Sequence, residues 1–168
     1  MKITTISVLM GWLFLFFLIP FSSSAQNYKA YNLDQILNTA GKAGTLFDVA
    51  QTEKVRSLIY DLNPTIFVKD QSIKSYQEEN PLVLRVTPDS WNVLTGTNPI
   101  FNSVELLTLE LPQVNNISGL LDLSELSSFN SLSYIFVECT GTCTASQVEQ
   151  IFRSTKNITV FYLVTTPQ

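Results

Sequence analysis

Residues 100–111 read "IFNSVELLTLEL" and residues 128–139 read "SFNSLSYIFVEC", one pattern twice, 28 residues apart. In each, Phe-Asn-Ser leads into a run whose positions 1, 4 and 6, counted from Val104 or Leu132, are apolar. Self-similarity at a fixed period marks stacked architectures, so the same register is sought along the rest of the chain. Three further segments fit it: "VRSLIYDLN" from Val55, "PLVLRVTPD" from Pro81 and "ITVFYLVTT" from Ile158. The starts lie 26, 23, 28 and 26 residues apart. Position 4 then reads Leu58, Leu84, Leu107, Ile135 and Phe161, and position 6 reads Tyr60, Val86, Leu109, Val137 and Leu163. Only Pro81 breaks the apolar rule at position 1.

The spacing L-x-x-L-x-L, recurring from about residue 45 to the end, resembles the leucine-rich-repeat family. That resemblance implies a short solenoid: about five parallel strands in one sheet, each joined to the next by a helical or irregular return arm. The family expects Asn or Cys at position 9, where this chain has Asn63, Asp89, Pro112, Thr140 and Thr166, so only the first unit complies. A compact three-layer α/β domain is the alternative, since a parallel sheet covered on both faces also yields continuous apolar strands. The arms carry helix signals. Thr144 with Gln147 forms a capping-box pattern ahead of Val148, Ile151 and Phe152. Asn32 with Gln35 repeats that design ahead of Ile36 and Leu37, with Gly41 as the stop. The N-terminal helix, within residues 26–50, is expected to cap the first end of the stack.

The ends bound the compartment. Lys2, the uncharged run from Ile6 to Phe21, and the small residues Ser23 and Ala25 predict a signal peptide over residues 1–25, cleaved before Gln26. Residues 26–168 then form one domain, secreted or periplasmic, with no later stretch able to span a bilayer. That part has nine basic and fourteen acidic residues, a formal charge of −5, without a basic cluster of the kind a nucleic-acid partner requires. Asn116 and Asn157 head glycosylation-type triplets.

There is no histidine, which removes the commonest general base and zinc ligand. No nucleophile elbow, phosphate loop or calcium loop is recognisable either. The expectation is a non-enzyme without a cofactor or metal. The two cysteines, Cys139 and Cys143, admit two uses. An exported protein with one such pair forms a structural disulfide, worth on the order of 2 kcal/mol for so small a loop. The order apolar strand, cysteines, helix is also that of a thiol–disulfide oxidoreductase, whose helix start favours a thiolate.

In the leucine-rich-repeat register, positions 3, 5 and 7 face away from the arms. They bring Tyr134, Phe136, Val160 and Tyr162 into one apolar patch, flanked by Glu110 and Glu138. The family implies a protein or peptide partner on this open face, and aromatic side chains anchor interfaces. The resulting expectation is an exported, non-catalytic protein-binding module. An envelope thiol–disulfide enzyme and a structural component of an envelope assembly are the alternatives. The fifth strand, followed only by Thr165 to Gln168, is expected at an open edge. There Pro167 blunts pairing, or the strand of a second copy completes it as a homodimer.

Overall fold

A computed structural model describes residues 29–75, 80–112, 121–153 and 157–165. They form a mixed α/β domain around a seven-stranded, open, largely parallel sheet of order β1-β9-β7-β5-β4-β2-β3. The strands are β1 (Ala30–Asn32), β2 (Thr65–Lys69), β3 (Ser72–Ser75), β4 (Val83–Val86), β5 (Leu106–Leu111), β7 (Tyr134–Thr140) and β9 (Thr159–Thr165). All neighbours run parallel except β2 and β3, which form a hairpin at one edge. Its two turn residues, Asp70 and Gln71, have φ of 53° and 58°, the left-handed pair that matches strand twist in a two-residue hairpin loop. A small second sheet joins β6 (Leu121–Asp122) to β8 (Phe152–Arg153).

The strands at the second, third and fourth expected positions are present, and β2, β4, β5, β7 and β9 lie side by side in chain order. A repeated hydrogen bond sets the stack. The carbonyls of Pro64, Leu82 and Glu105 each accept from two successive N–H groups at the start of the next strand, at 2.9–3.2 Å. The quoted Phe-Asn-Ser pairs are superposed: Phe101 stacks on Phe129 with centroids 4.8 Å apart, and Asn130 Nδ2 donates to Asn102 Oδ1 at 3.1 Å. Leu84, Leu107, Leu109, Ile135 and Val137 then meet the arms, where Trp91, Leu94, Phe101, Leu126, Phe129 and Val148 complete one core.

Two expected strands need correction. "VRSLIYDLN" is not a strand: Val55 to Tyr60 belong to helix α2 (Val49–Tyr60). Its buried residues, Thr52, Val55 and Leu58, recur every third position, a helical rather than an alternating pattern. Asp48 and Gln51 close a capping box at its start. Asn63 does not ladder between repeats. Its amide donates to the carbonyls of Ser57, Leu58 and Asp61 and so finishes the helix. The first strand of the stack is instead β2, in which Ile66 and Val68 face the arms. The fifth strand is present but slipped by one residue. Val160 pairs with Ile135 and Tyr162 with Val137, so these two face the arms, and Phe161 and Leu163 point the other way.

Helix α1 (Leu33–Thr39) forms as expected, with Asn32 Oδ1 accepting from Gln35 N at 3.1 Å. Its place differs from expectation. With β1 it lies beside β9, the last strand of the stack rather than the first. β9 is therefore covered over Val160–Tyr162 and is not the edge strand that a second copy was expected to complete. From there the chain must reach β2, five strands away, a span of about 24 Å at ordinary strand spacing. It does so across the sheet face opposite the arms, and the 12-residue α2 alone accounts for about 18 Å of the path. Leu33, Val55 and Leu58 from this arm pack on Val83, Leu106, Phe136 and Phe161 in a second core. The sheet is thus the middle of three layers.

Lys54 Nζ pins α2 to Glu105 Oε2 at 2.6 Å, and that hydrogen bond is the main cause holding the ammonium above its ordinary pKa. The pair's contribution is full below about pH 10.4 and is lost as pH rises through the higher folded value. Because Lys54 is half-exposed, the amount is below about 1 kcal/mol, and Lys54→Met should flatten the alkaline limb of a stability–pH curve by that much. Phe101→Ala should cost about 3–5 kcal/mol in urea denaturation, because it removes a buried ring and with it the stacking contact to Phe129.

Candidate functional site

The expected aromatic patch is not an open surface. Phe136 is only 4% exposed and Val160 only 1%. Tyr134 is partly buried against the second core, in which Phe161 also lies, their ring centroids 6.1 Å apart. Phe161 in turn meets Phe47 at 5.5 Å, and Tyr31 meets Phe47 edge-on at 5.2 Å. Tyr31 and Phe47 come from the N-terminal arm, so that arm fills the face predicted to await a partner. Val160 and Tyr162 are on the opposite face because of the one-residue slip. The physical reason is the parallel sheet itself, whose alternate side chains here are apolar on both sides and need two covers.

Glu110 and Glu138 stand elsewhere, at the carboxyl ends of the strands where α2 no longer covers the sheet. They are direct partners in the register of β5 and β7. Arg85 of β4 bridges them. Its Nε donates to Glu110 Oε1 at 2.7 Å and its terminal nitrogen donates to Glu138 Oε2 at 2.8 Å. Partial burial works against the charge on Arg85, but the two bonds and two carboxylates outweigh it and hold the guanidinium above its ordinary pKa. Alternation dictates this meeting. Arg85 at position 5 and the glutamates at position 7 share one face, and a long arginine reaches diagonally across neighbouring strands. Arg85 was the member that sequence reasoning left out of the site, although it stood on the same face in the same register.

The trio floors an open groove of about 580 Å³, completed by Lys69, Thr87, Asp89 and Thr140 with Pro88, Leu111 and Pro112. It lies at the carboxyl ends of β4, β5 and β7, which follow one another in chain order, so it is not at a strand-order reversal of the kind where open α/β sheets place ligands. One wall is held by the hairpin: Gln71 N donates to Ser90 Oγ at 3.2 Å, and the Gln71 side-chain amide donates to the Asp89 carbonyl. The groove's chemistry is electrostatic, with two positive and three negative side chains. Among the described residues, no group of three or more His, Cys, Asp or Glu is placed to hold a metal ion.

Cys139 and Cys143 are disulfide-bonded, with Cα atoms 6.2 Å apart. Cys139 closes β7 and is 1% exposed, and Cys143 packs partly against the same core. Gly141 turns the loop at φ 106°, and its N–H donates to Thr165 O at 3.0 Å, tying the loop to the end of β9. Thr144 caps α3 (Ala145–Glu149) with Gln147 in the expected capping box. At the helix's other end, Glu149 Oε1 accepts from Ala30 N at 3.0 Å, which docks β1. Asn157 is exposed just before β9, and Asn116 and residues 1–25, expected to form a signal peptide, lie outside the described residues. No described helix is long and apolar enough to cross a membrane.

Arg85→Met should destabilise the domain by about 1 kcal/mol, since it leaves two carboxylates facing each other on adjacent strands. Added salt should recover part of that loss by screening, and the double variant R85M/E138Q should recover most of it at low salt. Urea denaturation of the single and double variants across a salt series reads both effects.

Comparison with protein-family models, with curated proteins and with solved structures finds no match, so the site's own geometry carries the functional reading.

Proposed function

We propose that the chain is an exported structural module without catalytic activity, a component of an assembly outside the cytoplasm, built in the manner of a leucine-rich repeat. The observation that carries this reading is the Cys139–Cys143 disulfide, whose first sulfur-bearing residue is buried at the end of β7. Disulfides persist in oxidising compartments, and a bridge packed into a core is shielded from attacking thiolates. Here it fixes the exit of the strand into its arm, and through α3 and Glu149 it supports the seat of β1. The leucine-rich-repeat reading draws support from strands stacked in chain order, the superposed Phe101 and Phe129, and the bonded Asn102 and Asn130. A partner site on the sheet face would require α1 and α2 to leave it, so binding is better sought in the groove around Arg85.

Thiol–disulfide exchange is the second reading, favoured by the partial exposure of Cys143 beside a buried Cys139. Equilibration of residues 26–168 with glutathione and dithiothreitol buffers separates the two. A reduction potential below about −300 mV, with reduction costing about 2 kcal/mol of stability, fits a structural bridge. A potential near those of exchange enzymes, about −120 to −270 mV, would replace it with the redox reading.

A further inference from the structure

We propose that two copies of this chain exchange their N-terminal arms, each donating β1 and α1 to β9 and α3 of the other. This goes beyond the structural reading above and does not rest on it, since Cys139 and Cys143 stay within one chain throughout the exchange. The first ground is separability. β1 pairs with β9 over three residues, Ala30 N donates to Glu149 Oε1 of α3, and Leu33 lies fully buried in the second core with Phe136 and Phe161. All these contacts are the same whether the arm comes from its own chain or from another, so the seat already fits a second copy. Residues 40–47 link the arm to α2, and their hydrogen bonds stay local. Lys42 N donates to Thr39 O at 3.1 Å, and Thr45 donates to Lys42 O and Phe47 O; among the described residues none reaches the sheet. Gly41 and Gly44, at φ 75° and 84°, turn the link back on itself, and fixing glycine costs more conformational entropy than fixing other residues. Drawn out, residues 40–46 reach about 24 Å, enough to carry the arm to a neighbour.

The second ground is what the hinge leaves bare. Leu46 is 68% exposed and Val49 54%. Val49 stands against the hinge, its Cγ2 3.4 Å from where a methyl group on Gly41 would sit. In a reciprocal exchange the two drawn-out hinges pass each other at the two-fold axis, so Leu46 and Val49 of both copies meet there. The docked contacts of β1 and α1 cancel between monomer and dimer. The balance is therefore decided at the hinge. Folding it back holds two glycines in the left-handed region and leaves two apolar side chains in water. Exchanging the arms releases the glycines and gathers four apolar side chains out of water, which offsets the freedom lost on association.

The test is sedimentation velocity of residues 26–168 from about 1 to 200 µM, which should show a dimer whose share rises with concentration. L46S/V49S, which changes only exposed side chains, should weaken dimerisation about tenfold or more. Gly44→Ala should strengthen it about tenfold, because a side chain resists the left-handed turn that only the folded-back hinge needs, and no atom lies within 4 Å to obstruct it. A30C/V160C places cysteines at paired positions on β1 and β9, a spacing that a disulfide spans. Oxidised at dimer concentration, it should run as a covalent dimer on a non-reducing gel. Bridges closed within each chain would overturn the exchange, as would a monomer at every concentration or dimerisation unmoved by L46S/V49S. Should the cysteine variant not fold, Gly44→Ala decides: a dimer that keeps its hinges folded back would not be strengthened by it, and that result would overturn the proposal.

Discussion

A strand buried on both faces obliges the chain to supply two covers, and most of this molecule follows from that obligation. β4, β5, β7 and β9 carry apolar side chains at successive positions, so neither face of the sheet tolerates water over the first half of each strand. The arms between strands cover one face as a by-product of connecting them. Among the described residues the other face is covered chiefly by Leu33, Val55 and Leu58. The N-terminal arm supplies them, running from β1 beside the last strand to β2 beside the hairpin. Three layers, two cores and the position of β1 all express the same need.

The covers do not extend over the whole sheet. Where α2 ends, the face that was apolar at Leu106, Phe136 and Phe161 turns to Arg85, Glu110, Glu138 and Thr140. β4, β5 and β7 thus change character along their length, from packing to ion pairing, whereas β9 stays apolar on this face through Leu163. The polar end is also where Asp89, held by the hairpin, and the tied-down loop of Cys139 and Cys143 meet the sheet. A rigid rim around a solvated set of charges is a different object from an apolar docking face.

Much of this was legible in the sequence. The doubled Phe-Asn-Ser motif located β5 and β7 and their stacking, and the cap signals located α1 and α3, although at α1 only the Asn32 half of the expected box forms. The disulfide was expected from two closely spaced cysteines in a chain read as exported, and the pair is bonded. What escaped has identifiable causes. "VRSLIYDLN" satisfies a strand template and a helix template at once, and the helix start Asp48–Gln51, which would have decided between them, lies upstream of the repeat. β2 was missed because "TIFVK" is short and ends in a turn. The slip in β9 was invisible because Ile158, Val160, Phe161 and Leu163 are all apolar, and a run without polar alternation does not state its register. The second cover could not be read locally. Nothing in Tyr31 or Phe47 announces a partner more than 100 residues away in Phe161.

The pairing of Ala30 with Val160 closes the longest loop in the sheet, 130 residues. During synthesis from the amino end, β1 emerges first and has no strand to join until β9 has left the ribosome. Until then Tyr31 and Phe47 lack Phe161, the ring they pack against, and the face they will cover stays incomplete on whatever part of the stack has assembled. The stack can grow strand by strand from neighbours a few tens of residues apart, but its lid is seated last. A nascent or truncated chain lacking β9 would therefore present its unclosed apolar face to chaperones and to other copies of itself.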